Sequence, residues 1–125
     1  MSGASQSAPR PKRGEVWDVQ FAPSVGAEIR KVRPALVLSR DDVGKLPLRV
    51  VVPLTTWQES FVDVPWMIEV TSSTRNGLDH QSVADCFQPR SFATERFIAK
   101  RGTLNQTEVE RIARTVAEVL GVGFD

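Results

Sequence analysis

The chain has 125 residues, of which 41% are hydrophobic and 25% charged, a composition typical of one globular domain with its own core. Its 16 basic and 15 acidic residues give a net charge of +1, which argues against a broadly basic coat for nucleic acid. No apolar stretch is long enough to cross a bilayer, and a single cysteine, Cys86, excludes an internal disulfide.

The N-terminal segment differs in composition from the rest of the chain. Residues 1–11 are small, polar and proline-containing, which predicts a flexible tail ahead of a single domain at 12–125. The segment lacks the apolar centre of a secretory signal. We therefore expect a cytoplasmic protein.

Three strands are predicted in the first half of the chain. Apolar and polar positions alternate over residues 14–21, which indicates a half-buried strand. The runs 34–39 and 49–54 are almost entirely aliphatic or β-branched, which predicts strands that are buried on both faces. Residues 40–47, between them, are typical of a turn.

The second half predicts shorter elements. After an irregular loop at 56–64, strands are expected at 66–70 and 82–87, with a turn at Gly77 between them. Residues 94–101 predict a short strand or a turn.

The C-terminal segment carries the clearest helical pattern. Apolar residues recur at helical spacing over 105–120, Asn105 and Glu108 resemble a capping box, and Gly121 suits the end of the helix. Several short strands followed by one amphipathic helix predict a mainly β (α+β) fold, a small barrel covered by a helix.

Arg33 and two threonines form the first candidate site. Arg33 stands directly before the strand at 34–39, and Thr55 with Thr56 ends the strand at 49–54. Antiparallel pairing of these strands would bring the guanidinium and the hydroxyls close together. A planar cationic fork beside hydroxyl donors suits a phosphate or a carboxylate. The competing interpretation is a structural ion pair between Arg33 and Glu28.

Several segments of the chain form an ordered pattern: residues 13–17, 23–28, 33–39, 52–56, Gly77 with Leu78, Ser82, Gln88, Arg90 and 102–104. Taken in order, these segments resemble the MazF/PemK family of toxins, the endoribonuclease halves of toxin–antitoxin pairs. No single piece is decisive, but their order and spacing cover nearly the whole predicted domain.

The resemblance implies a fold, an activity and partners. It implies an SH3-like β-barrel, a homodimer, a MazE-like antitoxin as partner, and cleavage of single-stranded RNA at short sequences without a metal or other cofactor. A ribose 2′-hydroxyl would attack the adjacent phosphorus and leave a 2′,3′-cyclic phosphate and a 5′-hydroxyl. Such cleavage of mRNA would inhibit translation and growth.

The resemblance also assigns residues to roles. Catalysis would fall to Arg33, Thr55 and Glu28. RNA binding would fall to polar, cationic and planar side chains along the same loops and strands: Arg30, Lys31, Thr56, Trp57, Gln58, Ser82, Gln88 and Arg90.

The chemistry of each side chain limits which of these catalytic roles it can take. Arg33 suits stabilisation of transition-state charge, and Thr55 can donate a hydrogen bond to a phosphate oxygen. Because arginine is effectively never deprotonated, Glu28 is the better candidate for the general base. His80, the single histidine, falls in a predicted turn away from the matching positions and is interpreted as an ordinary loop residue.

Two other functions compete with the nuclease. One is a non-catalytic, CcdB-like toxin of related fold that poisons DNA gyrase, and the other is a degenerate SH3-like binding module. The chain departs from the family pattern at Ala27, Ile29, Phe87 and Pro89, so the family does not supply the RNA sequence that it would prefer. Trp66 is expected to anchor the core or an interface, and Cys86 to be a small buried hydrophobe.

Overall fold

The computed structural model describes residues 9–21 and 31–123. These residues form seven strands, one α-helix and two short 3₁₀ helices at Glu59–Phe61 and Thr94–Arg96. The strands and the α-helix are β1 (Glu15–Gln20), β2 (Val32–Val37), β3 (Leu48–Thr56), β4 (Met67–Val70), β5 (Ser82–Asp85), β6 (Arg90–Ala93), β7 (Phe97–Thr103) and α1 (Gln106–Val119).

The strands pair antiparallel in one curled sheet. Its order is β4-β5-β3-β2-β1-β7, and β6 also pairs with β3. The first part of β3 bonds β6 and its last part bonds β5, so this nine-residue strand is shared by two portions of the sheet. The mainly β class with one C-terminal helix is confirmed. Among the described residues the sheet stays open between β4 and β7 and forms no closed hydrogen-bonded ring.

Alternating side chains on the strands create two cores. Leu36 of β2 joins the core beneath the helix, where Val109 and Ile112 of α1 pack. Its neighbours Ala35 and Val37 face the opposite side and join a second core. Because both faces are covered, the middle of β2 and of β3 is buried on both sides, as their aliphatic sequences predict.

Most predicted strands are confirmed, with shifted ends. The predicted strand at 34–39 begins two residues earlier, because Val32 and Arg33 pair with Gln20 and Val19 of β1. Arg33 therefore lies within β2 and not before it. β6 was not predicted: its Pro89-led sequence has little strand pattern of its own, and the free edge of β3 supplies its hydrogen bonds.

Both ends of the helix are as predicted. The Asn105 side chain accepts the Glu108 backbone N–H and the Glu108 side chain accepts the Asn105 N–H, which completes the capping box. Gly121 takes a φ of 87° just past the helix, a conformation that glycine adopts at low cost. In the part of the chain described here, no helix is long and apolar enough to cross a membrane.

The predicted N-terminal tail lies mostly outside the described residues. Pro11, within its predicted bounds, is buried, and its carbonyl oxygen accepts a hydrogen bond of 2.8 Å from Arg49 Nε. The packed chain thus includes at least this end of the segment, and the flexible character of residues 1–8 stays a prediction.

Candidate active site

Arg33 and Thr55 meet on one face of the sheet. Ala35 of β2 pairs with Pro53 of β3 at the end of this ladder, and Arg33 and Thr55 each lie two residues beyond that pair. Side chains two residues apart share a face. Both residues line the same two clefts, as the predicted pairing of the strands requires.

Two clefts adjoin this pair of residues, and Arg33 and Thr55 line both. The Arg101 cleft has a volume of about 410 Å³ and is lined by Arg33, Pro34, Leu54, Thr55, Thr56, Gln58, Leu78, Asp79, His80, Ser82 and Arg101. The Arg90 cleft has a volume of about 400 Å³ and is lined by Phe21, Lys31, Arg33, Pro53, Thr55, Asp85, Gln88 and Arg90. Arg33 and Thr55 therefore form a ridge between two concave surfaces.

Arg33 and Thr55 form few polar contacts with other described residues. The ion pairs that join described residues involve Arg40, Lys100 and Arg101, and none of them involves Arg33. Arg33 is exposed, and the Thr55 hydroxyl makes only a long bond of 3.4 Å to the Thr56 carbonyl oxygen. Both polar groups can therefore turn toward a ligand at little cost.

Arg101, by contrast, is fixed by its neighbours. Its Nε donates to Asp18 Oδ1 at 2.6 Å, and its NH1 donates to the Gly77 carbonyl oxygen at 2.8 Å and to Asp79 Oδ2 at 3.3 Å. The hydrogen bond to Asp18 raises the pKa of Arg101 above its ordinary value. Two carboxylates offset its charge, whereas Arg33 forms no ion pair with any of the described residues.

In the Arg90 cleft, the side chain of Gln88 is held by hydrogen bonding to Asp85. Asp85 is buried, and its carboxylate accepts hydrogen bonds from the Phe87 N–H at 3.1 Å and from Gln88 Nε2 at 3.0 Å. The Gln88 amide is therefore oriented by Asp85, which leaves its carbonyl oxygen available to a ligand.

Arg90 lies over aromatic rings in the same cleft. Its guanidinium carbon is 4.8 Å from the centroid of the Phe92 ring and 5.7 Å from that of Phe21, distances typical of cation–π contacts. Lys31, also in the lining, is exposed. With Arg33, this cleft therefore combines three cationic groups with one oriented amide.

Most of the predicted site residues that lie in the described part of the chain are brought together. Lys31, Gln88 and Arg90 line the Arg90 cleft, and Thr56, Gln58 and Ser82 line the Arg101 cleft. Glu28 and Arg30 lie outside the described residues, so their predicted roles and the predicted ion pair with Arg33 stay untested.

Two of the predicted RNA contacts, Trp57 and Ser82, differ from the others in their surroundings. Trp57 lines neither cleft, and its backbone N–H is bonded to the Gln81 carbonyl oxygen at 2.8 Å, which continues the β3–β5 pairing. Ser82 is buried, and its hydroxyl donates to the His80 carbonyl oxygen at 2.9 Å. The Ser82 hydroxyl therefore supports the neighbouring loop from within.

Sequence reasoning missed four polar members of the lining, Asp79, His80, Asp85 and Arg101. His80 was expected away from the site, yet the loop before β5 places it in the Arg101 cleft. Its position between Gly77 and Ser82, two matched parts of the family pattern, was the signal available. Asp85, between the matched residues Ser82 and Gln88, offered the same signal. Arg101 gave none, since Arg101 and Asp18 are 83 positions apart in the chain.

An apolar patch lies away from both clefts. Trp66 and Phe87 are both exposed and form an edge-to-face pair with ring centroids 5.2 Å apart. With Pro65 and Val119 they line a shallow hollow of about 270 Å³ beside the end of α1. We call this surface, defined by Pro65, Trp66, Phe87 and Val119, the Trp66 patch.

Comparison with known proteins identifies the class to which this fold and site belong. The sequence pattern of PemK-like, MazF-like toxins of type II toxin–antitoxin systems matches residues 12–120, and the chain belongs to this family. Family membership inferred from ordered motifs is thereby confirmed.

Individual relatives give the same assignment. The chain is 32% identical over 107 residues to the endoribonuclease MazF9 of Mycobacterium tuberculosis, a match that covers 81% of this chain and 88% of that protein. It is 28% identical over 101 residues to the endoribonuclease EndoA of Bacillus subtilis, with 81% and 86% covered. A MazE–MazF structure from Deinococcus radiodurans shares the fold, with a TM-score of 0.74 at 22% identity over 90% of this chain and 97% of that chain.

Proposed function

We propose that this toxin is an endoribonuclease that cleaves single-stranded RNA at the ridge formed by Arg33 and Thr55. One observation carries the proposal: both side chains line two clefts at once, so a chain of nucleotides crossing the ridge would place one phosphate beside them. The endoribonuclease names of the relatives from Mycobacterium tuberculosis and Bacillus subtilis support the same activity.

The ridge residues would stabilise charge at the scissile phosphate. Attack of the 2′-hydroxyl on phosphorus builds negative charge on the non-bridging oxygens, which Arg33 would meet with a charged fork. The Thr55 hydroxyl would donate to one of these oxygens. Glu28 remains the proposed base that removes the 2′ proton. The products are a 2′,3′-cyclic phosphate and a 5′-hydroxyl, and no metal is proposed to take part.

The two clefts would hold the nucleotides on either side of that phosphate. Lys31 and Arg90 would bind neighbouring phosphates, and the Gln88 carbonyl, oriented by Asp85, would accept a hydrogen bond from a base edge. Thr56 and Gln58 would make polar contacts in the Arg101 cleft. Trp57, which lines neither cleft, is not part of this proposal.

Cleavage of a defined transcript in EDTA tests the activity. The wild-type chain should cut at a short recurring sequence, and Arg33→Ala should lower the rate by about two to three orders of magnitude, as loss of an oxyanion-site donor does. Arg114→Ala, an exposed arginine of α1 away from both clefts, is the matched control and should cut normally. Cleavage that survives unchanged in Arg33→Ala, or gyrase inhibition without any cleavage, would contradict the proposal.

We propose that the Trp66 patch pairs two copies of the chain. An exposed aromatic pair beside an apolar helix end is the composition typical of the centre of a protein–protein interface. Phe87→Asp should therefore convert a dimer into a monomer in light scattering. Val62→Asp changes an equally exposed valine outside the patch and should leave the dimer intact. A dimer that persists in Phe87→Asp would refute this surface.

We propose that an antitoxin inhibits the chain by placing an acidic, MazE-like segment on the cations of the Arg90 cleft, Lys31, Arg33 and Arg90. The MazE–MazF structures among the structural neighbours support a partner of this kind. A Glu-rich peptide should compete with RNA for the wild-type chain and compete less well for Lys31→Ala. A neutral peptide of equal length is the control, and equal competition by both peptides would reject the proposal.

A further inference from the structure

His80 occupies the Arg101 cleft together with both ridge residues. It is the single histidine of the chain. The Arg101 cleft is formed where the loop before β5 meets the ends of β2 and β3, so His80 borders the same space as Arg33 and Thr55. No part of the proposed cleavage described so far uses this side chain.

The loop that carries His80 is firmly built. The carbonyl oxygen of His80 accepts a hydrogen bond from the hydroxyl of buried Ser82. The side-chain amide of the next residue, Gln81, donates to Glu69, and the Gln81 carbonyl oxygen accepts the Trp57 N–H. Upstream, the buried Asn76 side chain accepts the Leu78 N–H at 3.0 Å. A preorganised loop of this kind suits a group that must hold one position relative to the substrate.

Among the described residues that line the Arg101 cleft, His80 carries the side chain that is suited to give up a proton. Arg33, Asp79 and Arg101 are the charged groups that line the cleft with His80. Arginine does not release its proton, and the Asp79 carboxylate is engaged as the acceptor of Arg101. An imidazole can carry a proton on a ring nitrogen and pass it on, so among the described residues of this lining His80 is the group that can act as an acid.

We propose that His80 is the general acid of the reaction, an inference that rests on the proposed endoribonuclease function. As the 2′-oxygen forms its bond to phosphorus, the bond from phosphorus to the 5′-oxygen breaks. The imidazolium of His80 gives its proton to that departing oxygen, which leaves as the 5′-hydroxyl. The base takes the 2′ proton, and the neutral imidazole regains a proton from water.

A substrate with a sulfur leaving atom separates this role from a structural one. In an oligonucleotide whose scissile 5′-oxygen is replaced by sulfur, the thiolate leaves without needing a proton. On ordinary RNA, His80→Ala should slow cleavage by about 10²–10⁴-fold, the usual contribution of general acid catalysis. On the sulfur substrate the same variant should cleave within about tenfold of the wild-type rate, since loss of the acid then matters little.

Two further variants keep the result interpretable. Arg114→Ala changes an exposed side chain of α1 that lines neither cleft, and it should cleave both substrates normally. His80→Gln keeps a polar side chain of similar size for the case in which His80→Ala fails to fold, and it should reproduce the loss on ordinary RNA alone.

The remaining outcomes overturn the inference. Equal losses on the two substrates would mean that His80 binds or positions RNA, and no loss on ordinary RNA would mean that it has no part in cleavage. If the wild-type chain cuts neither substrate, the proposed endoribonuclease function is itself wrong. If the wild-type chain cuts RNA and His80→Ala cuts it equally fast, only the role of His80 is wrong.

Discussion

Arg33 and Arg101 carry the same side chain, but their different neighbours suit them to different roles. Arg101 donates to Asp18, Asp79 and a backbone carbonyl oxygen, so its charge is offset and its position is fixed. Arg33 is exposed on the ridge, and no ion pair among the described residues holds it. A phosphate approaching the ridge would therefore meet the field of Arg33 first, while Arg101 shapes the wall beside it.

Cys86 offers a prediction at the residue scale that is independent of RNA. Burial, followed by the negative charge of Asp85, raises the pKa of its thiol from 9.0 to about 12. A raised pKa favours the protonated form in the folded state, so the stability that this form contributes is complete below pH 9 and is lost as the pH rises toward 12.

The effect can be measured against a variant that lacks the thiol. Between pH 8 and pH 10 the wild-type chain should lose about 1 kcal/mol more unfolding free energy than Cys86→Ala does. Denaturant titrations at both pH values give the comparison. Equal losses in the two proteins would show that the thiol ionises as easily in the folded chain as in the unfolded one.

At the scale of elements, the helix contributes stability through its buried face. Ile112 of α1 is fully buried in the core beneath the helix, whereas Ile98 of β7 is 55% exposed. Ile112→Ala should lower the unfolding free energy by about 2–5 kcal/mol, because it removes buried methyl groups and leaves a cavity. Ile98→Ala should change it by less than about 1 kcal/mol. Similar losses for the two would contradict the described packing of α1.

The loop that carries His80 depends on a close backbone approach to β7. A Cβ at Gly102 would lie 2.0 Å from the Arg75 carbonyl oxygen, a distance that forces the loop away. Gly102→Ala should therefore cost about 3 kcal/mol of stability. It should also reduce cleavage, because the wall of the Arg101 cleft would move.

A second glycine supplies the control for that substitution. Gly44 has a φ of 63° but nothing within 4 Å of an added Cβ. Gly44→Ala should cost only the backbone strain of a left-handed conformation, about 1 kcal/mol, with cleavage unchanged. Equal destabilisation by the two substitutions, measured in denaturant, would show that crowding at Gly102 is not what limits the loop.

The pattern of apolar residues in the sequence was sufficient to predict some helices and strands but not others. The long aliphatic strands β2 and β3 and the capped helix α1 could be predicted, because each carries its own periodic or capping signal. β6 could not, since its order comes from the edge of β3 and not from its own residues. The open path of the sheet likewise depends on which strand edges meet, which no local pattern specifies.

The same division applies to the candidate site. Arg33 and Thr55 could be placed together because antiparallel pairing of two adjacent strands is a short inference. The pairing of Arg101 with Asp18, the orientation of Gln88 by Asp85 and the entry of His80 into a cleft all require tertiary contacts. These side chains determine the shape and charge of the two clefts. Sequence reasoning therefore located Arg33 and Thr55 but missed several of the residues that line the clefts around them.

At the scale of the whole molecule, a net charge of +1 coexists with a local cluster of cations. Lys31, Arg33 and Arg90 share one cleft, so RNA binding should depend on salt despite the nearly neutral total. With about three phosphate contacts, the logarithm of the RNA association constant should fall with a slope of about −2 against the logarithm of salt concentration.

Substitutions in the cluster should change that slope. Lys31→Ala should make it shallower by about 0.7, while Arg114→Ala on α1 should leave it unchanged. Fluorescence anisotropy with a labelled single-stranded RNA at several salt concentrations measures both. A slope that responds equally to the two variants would indicate diffuse attraction and not a local phosphate-binding cluster.

The central claim is that Arg33 and Thr55 act on the same phosphate, and a double-mutant cycle on the cleavage rate tests it most directly. Arg33→Ala, Thr55→Val and the double variant are compared with the wild-type chain on one RNA in EDTA. Because groups that act as a unit are not additive, the double variant should be only slightly slower than the slower single variant. Rate losses that simply multiply would show that the two side chains act independently, and would contradict the account.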